Sequence, residues 1–321
     1  GSVTVICSDK TGTLTQNRMT VTVLDLLDHQ LDLAPEQGAG DPLEPAAALS
    51  LSAAALCSDA VLTGERDDGE QHFDTLGDPT EGALVAAAAR HGLHKPDLED
   101  LLPRVGELPF DSERKRMTTT HSLAGLFPGS GSDGAERTED PGRSSTLPPS
   151  VEQLGKHLGA ALERWVAEGN ADAPEDPRVV FTKGAVDSLL EVCSSVWRDE
   201  GPQPMTETWE RRVQGANENL AAQGIRVLGV AAKLVGRDEG QDQWERDLSF
   251  LGMVGMLDPL RPEVGDAVET CRRAGIRPVM ITGDHPLTAA SIAAQVGIIP
   301  NTTTATDSAR VLTGVDLDGM E

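Results

Sequence analysis

Val3-Thr4-Val5-Ile6-Cys7, at the head of the chain, is a β-branched run that ends in Ser8-Asp9. The pattern reads as a buried parallel strand. So short a strand cannot stand alone; it needs sheet partners from elsewhere in the sequence. One is offered far downstream, where Ile276 to Ile281 forms a second apolar run and ends in Thr282-Gly283-Asp284. Both strands therefore run into polar loops that carry an Asp. Between them the chain has strands and helices of its own. The economical organisation is one α/β domain, residues 1–23 and 249–321, interrupted by an inserted domain at 24–248. Three successive domains are the alternative, and they leave the first strand without a sheet.

The 321 residues include 52 acidic and 27 basic side chains, a net charge of −25, with 3% aromatics and no Tyr. That charge repels nucleic acid and anionic membranes. It does not forbid a locally positive pocket for a small anion. Cys7, Cys57, Cys193 and Cys271 are too scattered for a metal cluster or a disulfide framework and read as reduced thiols. No apolar run approaches the roughly 18–20 residues that cross a bilayer. The abrupt Gly-Ser start without Met reads as a piece of something longer.

Along the inserted region, Met19 to Leu27 reads as an extended connector and Asp41 to Leu62 as a helix. Asp78-Pro79-Thr80-Glu81 is a strong helix start: Asp78 caps, Pro79 suits the first position, and Glu81 stands where a capping box places its acid. The helix runs to Arg90, and Gly92 ends it. A turn at 111–116 precedes a strand at 117–120. Residues 128–150 are Gly, Ser, Pro and charge almost throughout, which predicts a mobile loop. Helices are expected at 151–168, 186–193 and 209–223, and strands at 179–181, 225–231 and 248–257. The closing region reads as a helix into Gly275, the strand 276–281, and a helix 286–296 ended by Gly297.

Ligands in open α/β sheets bind outside the C-terminal strand ends. Asp9 stands at such an end, before Lys10, Thr11 and Gly12. A carboxylate there can attack phosphorus to give an acyl phosphate, can bind Mg²⁺, or can do both in turn. Thr282 and Gly283 offer a hydroxyl and an N–H to a phosphoryl oxygen, with Asp284 as a second acid. The bland reading, an Asp that only caps the next turn, competes at each site.

Residues 9–15, DKTGTLT, resemble the phosphorylation signature of the P-type cation-transporting ATPases. Similar blocks follow in that family's order: GDPTE at 77–81, PFDSERKRM at 109–117, KGA at 183–185, GIRVLGVA at 224–231, DPLRPEV at 258–264 and MITGDHPLTAASIAAQVGI at 280–298. The style is closest to the calcium and sodium/potassium branch. The resemblance implies a haloacid-dehalogenase-like phosphorylation domain, incomplete at its C-terminus, interrupted by an α+β nucleotide-binding domain. It implies ATP and Mg²⁺ as cofactors and Asp9 as the acceptor of the γ-phosphoryl group. Lys10 would flank the phosphate, the Thr11 carbonyl would join Asp9 at the metal, and Thr282, Gly283 and Asp284 would contact phosphate and align the nucleotide. Phe110 resembles the ring that stacks on adenine, Lys115 and Lys183 the pocket lysines, and Glu81 the acid at the adenine amino edge. Gly184 would let the ligand approach, Arg226 would touch the β-phosphate side, and Asp258 with Arg261 resembles a hinge-side pair near the nucleotide. Ser112 stands where some calcium pumps carry Arg, which removes a cationic contact.

Hydrolytic relatives of this fold carry an Asp two residues after the nucleophile. Thr11 cannot take that proton near neutral pH, so the acyl phosphate is expected to persist. The family's downstream acidic block, its actuator domain and its membrane helices are absent from the sequence. The expectation is therefore a soluble portion from the cytoplasmic face of a membrane pump, inactive or nearly so by itself. Its partners would be the actuator and transmembrane domains of the same polypeptide, with the transported cation, calcium first, bound only in the membrane. A non-catalytic ATP-binding module and a haloacid-dehalogenase-type phosphatase are the competing functions.

Overall fold

The computed structural model describes residues 3–34, 43–66, 72–126, 147–167, 177–198, 201–283, 286–300 and 311–312. Asp284 and most of the expected mobile loop at 128–150 lie outside them. The first elements are β1 (Val5–Asp9), β2 (Thr20–Asp25), β3 (Gln30–Asp32), α1 (Pro45–Leu56), β4 (Val61–Arg66), β5 (His72–Leu76), α2 (Pro79–Arg90) and α3 (Lys95–Leu101). There follow β6 (Arg104–Asp111), β7 (Arg116–Ser122), α4 (Pro149–Ala167), β8 (Arg178–Gly184), α5 (Val186–Leu190), β9 (Cys193–Arg198), β10 (Gly201–Pro204) and α6 (Glu207–Ala222). Last come β11 (Arg226–Val235), α7 (Gln241–Trp244), β12 (Leu248–Leu257), α8 (Val264–Arg273), β13 (Arg277–Ile281) and α9 (Pro286–Gln295).

The chain forms two compact units. The smaller draws on residues 1–20, 216–226 and 256–321, the larger on 21–215 and 227–255. An α/β unit assembled from sequence-distant segments, with a second unit inserted, is the architecture expected.

In the smaller unit β1 and β13 run parallel, with Val5 opposite Arg277 and Asp9 opposite Ile281. Leu14, Val264, Val268 and Val296 pack into a small core with Leu260, Met280 and Ile298. The valines of α8 fall on one stripe because they are spaced by four, as an amphipathic helix requires. Gly275 and Gly297 follow α8 and α9 at φ +75° and +78°, left-handed positions where glycine escapes the Cβ penalty.

In the larger unit a nine-stranded sheet runs β10-β9-β12-β11-β8-β7-β6, with β2 on β12 and β3 on β2. In the run β6, β7, β8, β11 each strand is antiparallel to its neighbour. α1 packs against α2, α3, α4 and β8. It is buried on nearly every side, from Ala47 to Leu56, which suits a helix of Ala, Leu and Ser with no polar face. Ser50 returns its hydroxyl to the Ala46 carbonyl at 2.8 Å. β7 is just as buried although its sequence, RMTTTHS, looks polar. β-branched threonines suit a strand, and two of the three hydroxyls find partners: Thr118 Oγ1 meets Thr182 Oγ1 at 3.0 Å and Thr119 Oγ1 meets His121 Nε2 at 2.9 Å, while Thr120 Oγ1 is buried without one among the described residues.

Several expectations need correction. β1 is exposed: Val5 keeps 47% and Ile6 40% of its surface. Burial of a strand needs cover on its faces and edges, and among the described residues β13 is the strand paired with it. Met19 to Leu27 is no connector, since β2 joins the main sheet. The helix expected at 41–62 is confined to Pro45–Leu56, and Val61 opens a β-hairpin. The helix expected at 186–193 stops at Leu190; Cys193 and Val196, both buried, open β9 beside β12.

Candidate functional site

At the β1 end Asp9 is exposed. Beyond it the backbone turns sharply: Thr11 is extended and Gly12 lies at φ +74°, a conformation that favours glycine. Thr15 closes the turn, its N–H donating to the Lys10 carbonyl at 3.1 Å. The parallel register carries the Thr282-Gly283 loop away from the same sheet edge as the Asp9 loop, because Asp9 and Ile281 are neighbours across the ladder. A Cβ added at Gly283 meets nothing within 4 Å among the described residues, its chain neighbours aside. Asp284 falls outside the described residues.

The turn after Asp9 is braced from below. Thr15, fully buried, donates its hydroxyl to Asp258 Oδ2 at 2.6 Å, and the Arg18 N–H donates to Asp258 Oδ1 at 3.0 Å. Arg261 donates from Nε to the Thr15 carbonyl at 3.0 Å and from Nη2 to the Gly12 carbonyl at 3.1 Å. Backbone bonds from Gln16 to Pro259 and from Arg261 to Leu14 complete the seam. The structure thus places Asp258 and Arg261 as a frame for the Asp9 loop. Both Asp258 oxygens are engaged there.

The larger unit gathers the other candidates at one end of three adjacent strands. Asp111 pairs with Arg116 at the tip of the β6–β7 hairpin, and Arg116 pairs in turn with Gly184 of β8. Phe110, Ser112, Lys115 and Lys183 therefore share a sheet end. Phe110 keeps 65% of its surface, whereas Phe73, Phe181 and Phe250 are buried. The hairpin tip is an Asx turn: Asp111 Oδ1 accepts from the N–H groups of Glu113 and Arg114, both at 2.9 Å. The Arg114 N–H, foremost, holds the Asp111 carboxyl below its ordinary pKa. Lys115 stands exposed at φ +52°.

Lys183 is buried, and its ammonium donates to Glu81 Oε1 at 2.6 Å and Ser58 Oγ at 2.8 Å. Glu81 Oε2 accepts from the N–H groups of Asp59 and Ala60 at 2.7 and 3.2 Å. The Asp78 cap is present, donated to by Thr80 and Glu81 N–H at 2.8 and 3.2 Å. Glu81 itself spends its side chain on Lys183 and on the 59–60 backbone. Gly184 is required for a reason other than ligand approach: a Cβ would fall 2.5 Å from the Lys115 carbonyl oxygen and 2.6 Å from Arg116 Cβ. The chain's own hairpin fills that space. Arg226, exposed at the start of β11, falls in the smaller unit rather than with these residues.

Sequence reasoning missed Thr15 as a buried strut, and missed Ser58, Lys95, Arg104 and Glu245 altogether. Thr15 had a signal, since it closes the 9–15 motif. The others meet their partners only through tertiary packing, and no local spacing announces them.

An exposed aromatic ring, an exposed Lys and a buried Lys–Glu pair at one sheet end suit a ligand with an aromatic base and anionic groups. An adenine nucleotide fits that chemistry. Asp9 and the Thr11 carbonyl offer only oxygen, the donor type of Mg²⁺, which takes one or two carboxylates and completes its shell with water and substrate phosphate. Among the described residues no three His, Cys, Asp or Glu side chains gather around a common point.

A split α/β unit with a strand-end Asp carries an inserted unit whose sheet end presents Phe110, Lys115 and the Lys183–Glu81 pair. The family model for "P-type ATPase, cytoplasmic domain N" matches residues 48–133 and 167–263. The chain belongs to the P-type ATPase family. It is 33% identical over its whole length to Calcium-transporting ATPase 1 of Bacillus cereus, covering 28% of that protein. It is 32% identical over 93% of its length to the Sodium/potassium-transporting ATPase subunit alpha-2 of Gallus gallus, covering 26% of it. It is 33% identical over its whole length to Probable cation-transporting ATPase F of Mycobacterium tuberculosis, covering 31% of it. The chain thus spans about three tenths of the length of the curated relatives it matches.

Proposed function

We propose that this chain is the phosphoryl-accepting and nucleotide-binding portion of an ATP-driven cation pump, at the cytoplasmic face of the membrane, with calcium as the transported ion. Sodium/potassium or magnesium transport by the same chemistry is the alternative. The observation that carries the reading is the β1–β13 register, which sets Asp9 and the Thr282-Gly283 loop at one sheet edge.

In this mechanism the cleft binds ATP with adenine on the Phe110 ring, a stack contributing about 1–3 kcal/mol. Glu81, with Lys183 paired to it at 2.6 Å, faces the base edge and its 6-amino group, and the exposed Lys115 draws the phosphates into an otherwise acidic protein. Arg226 contributes charge at the β-phosphate. One oxygen of the Asp9 carboxylate forms a bond to the γ-phosphorus as the bond to the β-phosphate oxygen breaks, and ADP leaves with that electron pair. The Thr282 hydroxyl and the Gly283 N–H hold the phosphoryl oxygens. Mg²⁺, held by Asp9 and the Thr11 carbonyl, supplies neutralisation of phosphoryl charge when bound. Thr11 gives water no general base, so the acyl phosphate persists long enough for a conformational change.

Labelling of the full-length parent with γ-³²P ATP tests the reading. Acid-stable label that appears with Ca²⁺ and vanishes in Asp9→Asn supports it. Label that survives Asp9→Asn sinks it, and label gated by Na⁺ or Mg²⁺ instead moves the ion assignment. A second reading applies to the isolated chain, a nucleotide-binding module that takes no label. The exposure of Val5 and Ile6 on β1 favours it, since a nucleophile on a poorly covered strand is poorly held.

A further inference from the structure

Lys95 is a buried cation that the mechanism above does not use. It is 6% exposed, and its nearest carboxylate, Glu99 at 3.7 Å, is itself partly in solvent. Burial pushes the Lys95 ammonium below its ordinary pKa. Its close contacts are backbone carbonyls: Ser58 O at 2.7 Å and Ala60 O at 3.1 Å. Arg104 grips the same loop. It donates from Nη2 to Leu56 O and Ser58 O, both at 2.9 Å, and from Nη1 to Asp59 Oδ1 at 2.8 Å. Helix α1 ends there, where unpaired carbonyls carry negative partial charge and attract cations.

The same loop donates its Asp59 and Ala60 N–H groups to Glu81 Oε2. The Ser58 carbonyl and the Asp59 N–H belong to one peptide group. Cations on that oxygen polarise the group and make its N–H a stronger donor. Two cations thus act on Glu81 from behind the backbone while Lys183 holds Glu81 Oε1 from the side. The carboxylate is fixed at both oxygens, and its remaining lone pairs have a set direction.

We propose that Lys95, with Arg104, is a positioning residue that aims the Glu81 carboxylate through the 58–60 loop and so sets preference for 6-amino over 6-oxo purine nucleotides. This rests on the reading of Glu81 as the acid at the base edge. A fixed carboxylate accepts from a 6-amino group and repels a 6-oxo oxygen, whereas a carboxylate free to swing accommodates both.

The test titrates ATP and GTP into the 321-residue chain and reads the ratio of the two Kd values. Wild type is expected to prefer ATP. Lys95→Met, similar in length and without the charge, should lower that preference about five- to tenfold, chiefly by weakening ATP. Lys95→Gln keeps amide donors and should recover part of it. Lys115→Ala should weaken ATP and GTP alike. A folded Lys95→Met chain with the wild-type ratio overturns the proposal and leaves the cleft standing. A wild type with no saturable ATP binding removes the cleft reading itself. Should Lys95→Met fail to fold, the wild-type Asp59 and Ala60 amide resonances decide. Larger shifts with ATP than with GTP support the proposal, and equal shifts overturn it.

Discussion

Asp258 and Thr15 are joined at 2.6 Å, carboxylate to hydroxyl, across 243 positions of sequence. The contact ties the turn that follows Asp9 to the chain segment re-entering the smaller unit after the insertion. Thr15 is buried and the other Asp258 oxygen takes the Arg18 N–H, so truncation strips the acceptor from Arg18 N–H and leaves the Thr15 hydroxyl only the longer bond to the Lys10 carbonyl at 3.2 Å. An orphaned buried donor costs about 1–3 kcal/mol. Asp258→Ala should therefore loosen the Asp9 loop as well as destabilise the unit. The expected result in the full-length parent is phosphoenzyme yield down by an order of magnitude or more at unchanged ATP affinity. Equal label in wild type and Asp258→Ala would show that the Asp9 loop needs no such brace.

His121 gives the larger unit an acid-sensitive core. Its Nδ1 meets the Leu102 carbonyl and its Nε2 the Thr119 hydroxyl, both at 2.9 Å, within β7. Burial lowers its pKa to about 4, and Arg104 and Lys95 push the same way against the Leu102 carbonyl. Between the unfolded value near 6.5 and about 4, the unfolded chain binds a proton that the folded chain refuses. Stability is thus full above the unfolded value and is lost as pH falls through that window. The loss is about 3 kcal/mol in order of magnitude. Urea melts at about pH 7.5 and pH 4.5 should show it, and His121→Gln should remove most of the difference. A wild-type slope that survives in the variant would assign the acid sensitivity elsewhere.

Helix α2 was legible residue by residue, because Asp78, Pro79 and Gly92 act through local backbone chemistry. β12 and β13 were legible because apolar runs bounded by turns suffice for strands, although only β12 is buried. β7 was only partly so: its threonines look like surface until Thr182 and His121 meet them across the sheet. β4 and β5, β9 and β10 carry weak patterns, and their pairing decides them. At the candidate site the motif residues were legible as residues, while their support was not. Glu81 was legible as a base-edge or cap acid, but its pairing with Lys183, 102 positions away, was not. Gly184 looked like room for a ligand, yet the hairpin tip occupies the space.

Glu245 anchors that hairpin tip from beneath. Its carboxylate takes Arg114 and the Thr118 hydroxyl on one oxygen and Arg116 Nε on the other, at 2.9 Å for the last. Burial alone would raise its pKa; hydrogen bonds from Arg114, Thr118 and Arg116 outweigh it and hold the carboxyl below its ordinary value. Its contribution is thus present above the unfolded Glu value and lost as pH falls below it. Glu245→Gln should leave Arg114 and Arg116 facing each other and free the turn that presents Phe110 and Lys115. ATP affinity should fall about three- to tenfold, with a drop in Tm of a few degrees. Thermal scans with and without ATP check both effects. Undiminished affinity in a destabilised variant would separate the anchor from the cleft.

Gly184 and Gly283 invite opposite expectations for one substitution. A methyl group at Gly184 would lie 2.5 Å from the Lys115 carbonyl, backbone that is held in place by the Ala185 N–H at 3.0 Å. Gly184→Ala should therefore cost about 1–3 kcal/mol, from overpacking, and weaken ATP binding only through the displaced Lys115. A methyl at Gly283 meets no atom of the described residues within 4 Å, its chain neighbours aside, so Gly283→Ala should fold with wild-type stability. If the phosphoryl group sits above Gly283, the methyl obstructs it, and label on Asp9 in the full-length parent should fall at least about tenfold with ATP affinity intact. Melting curves and labelling on the two variants separate a glycine needed by the fold from one needed by the reaction. A Gly283→Ala protein labelled like wild type would place the phosphoryl group away from the Thr282-Gly283 loop.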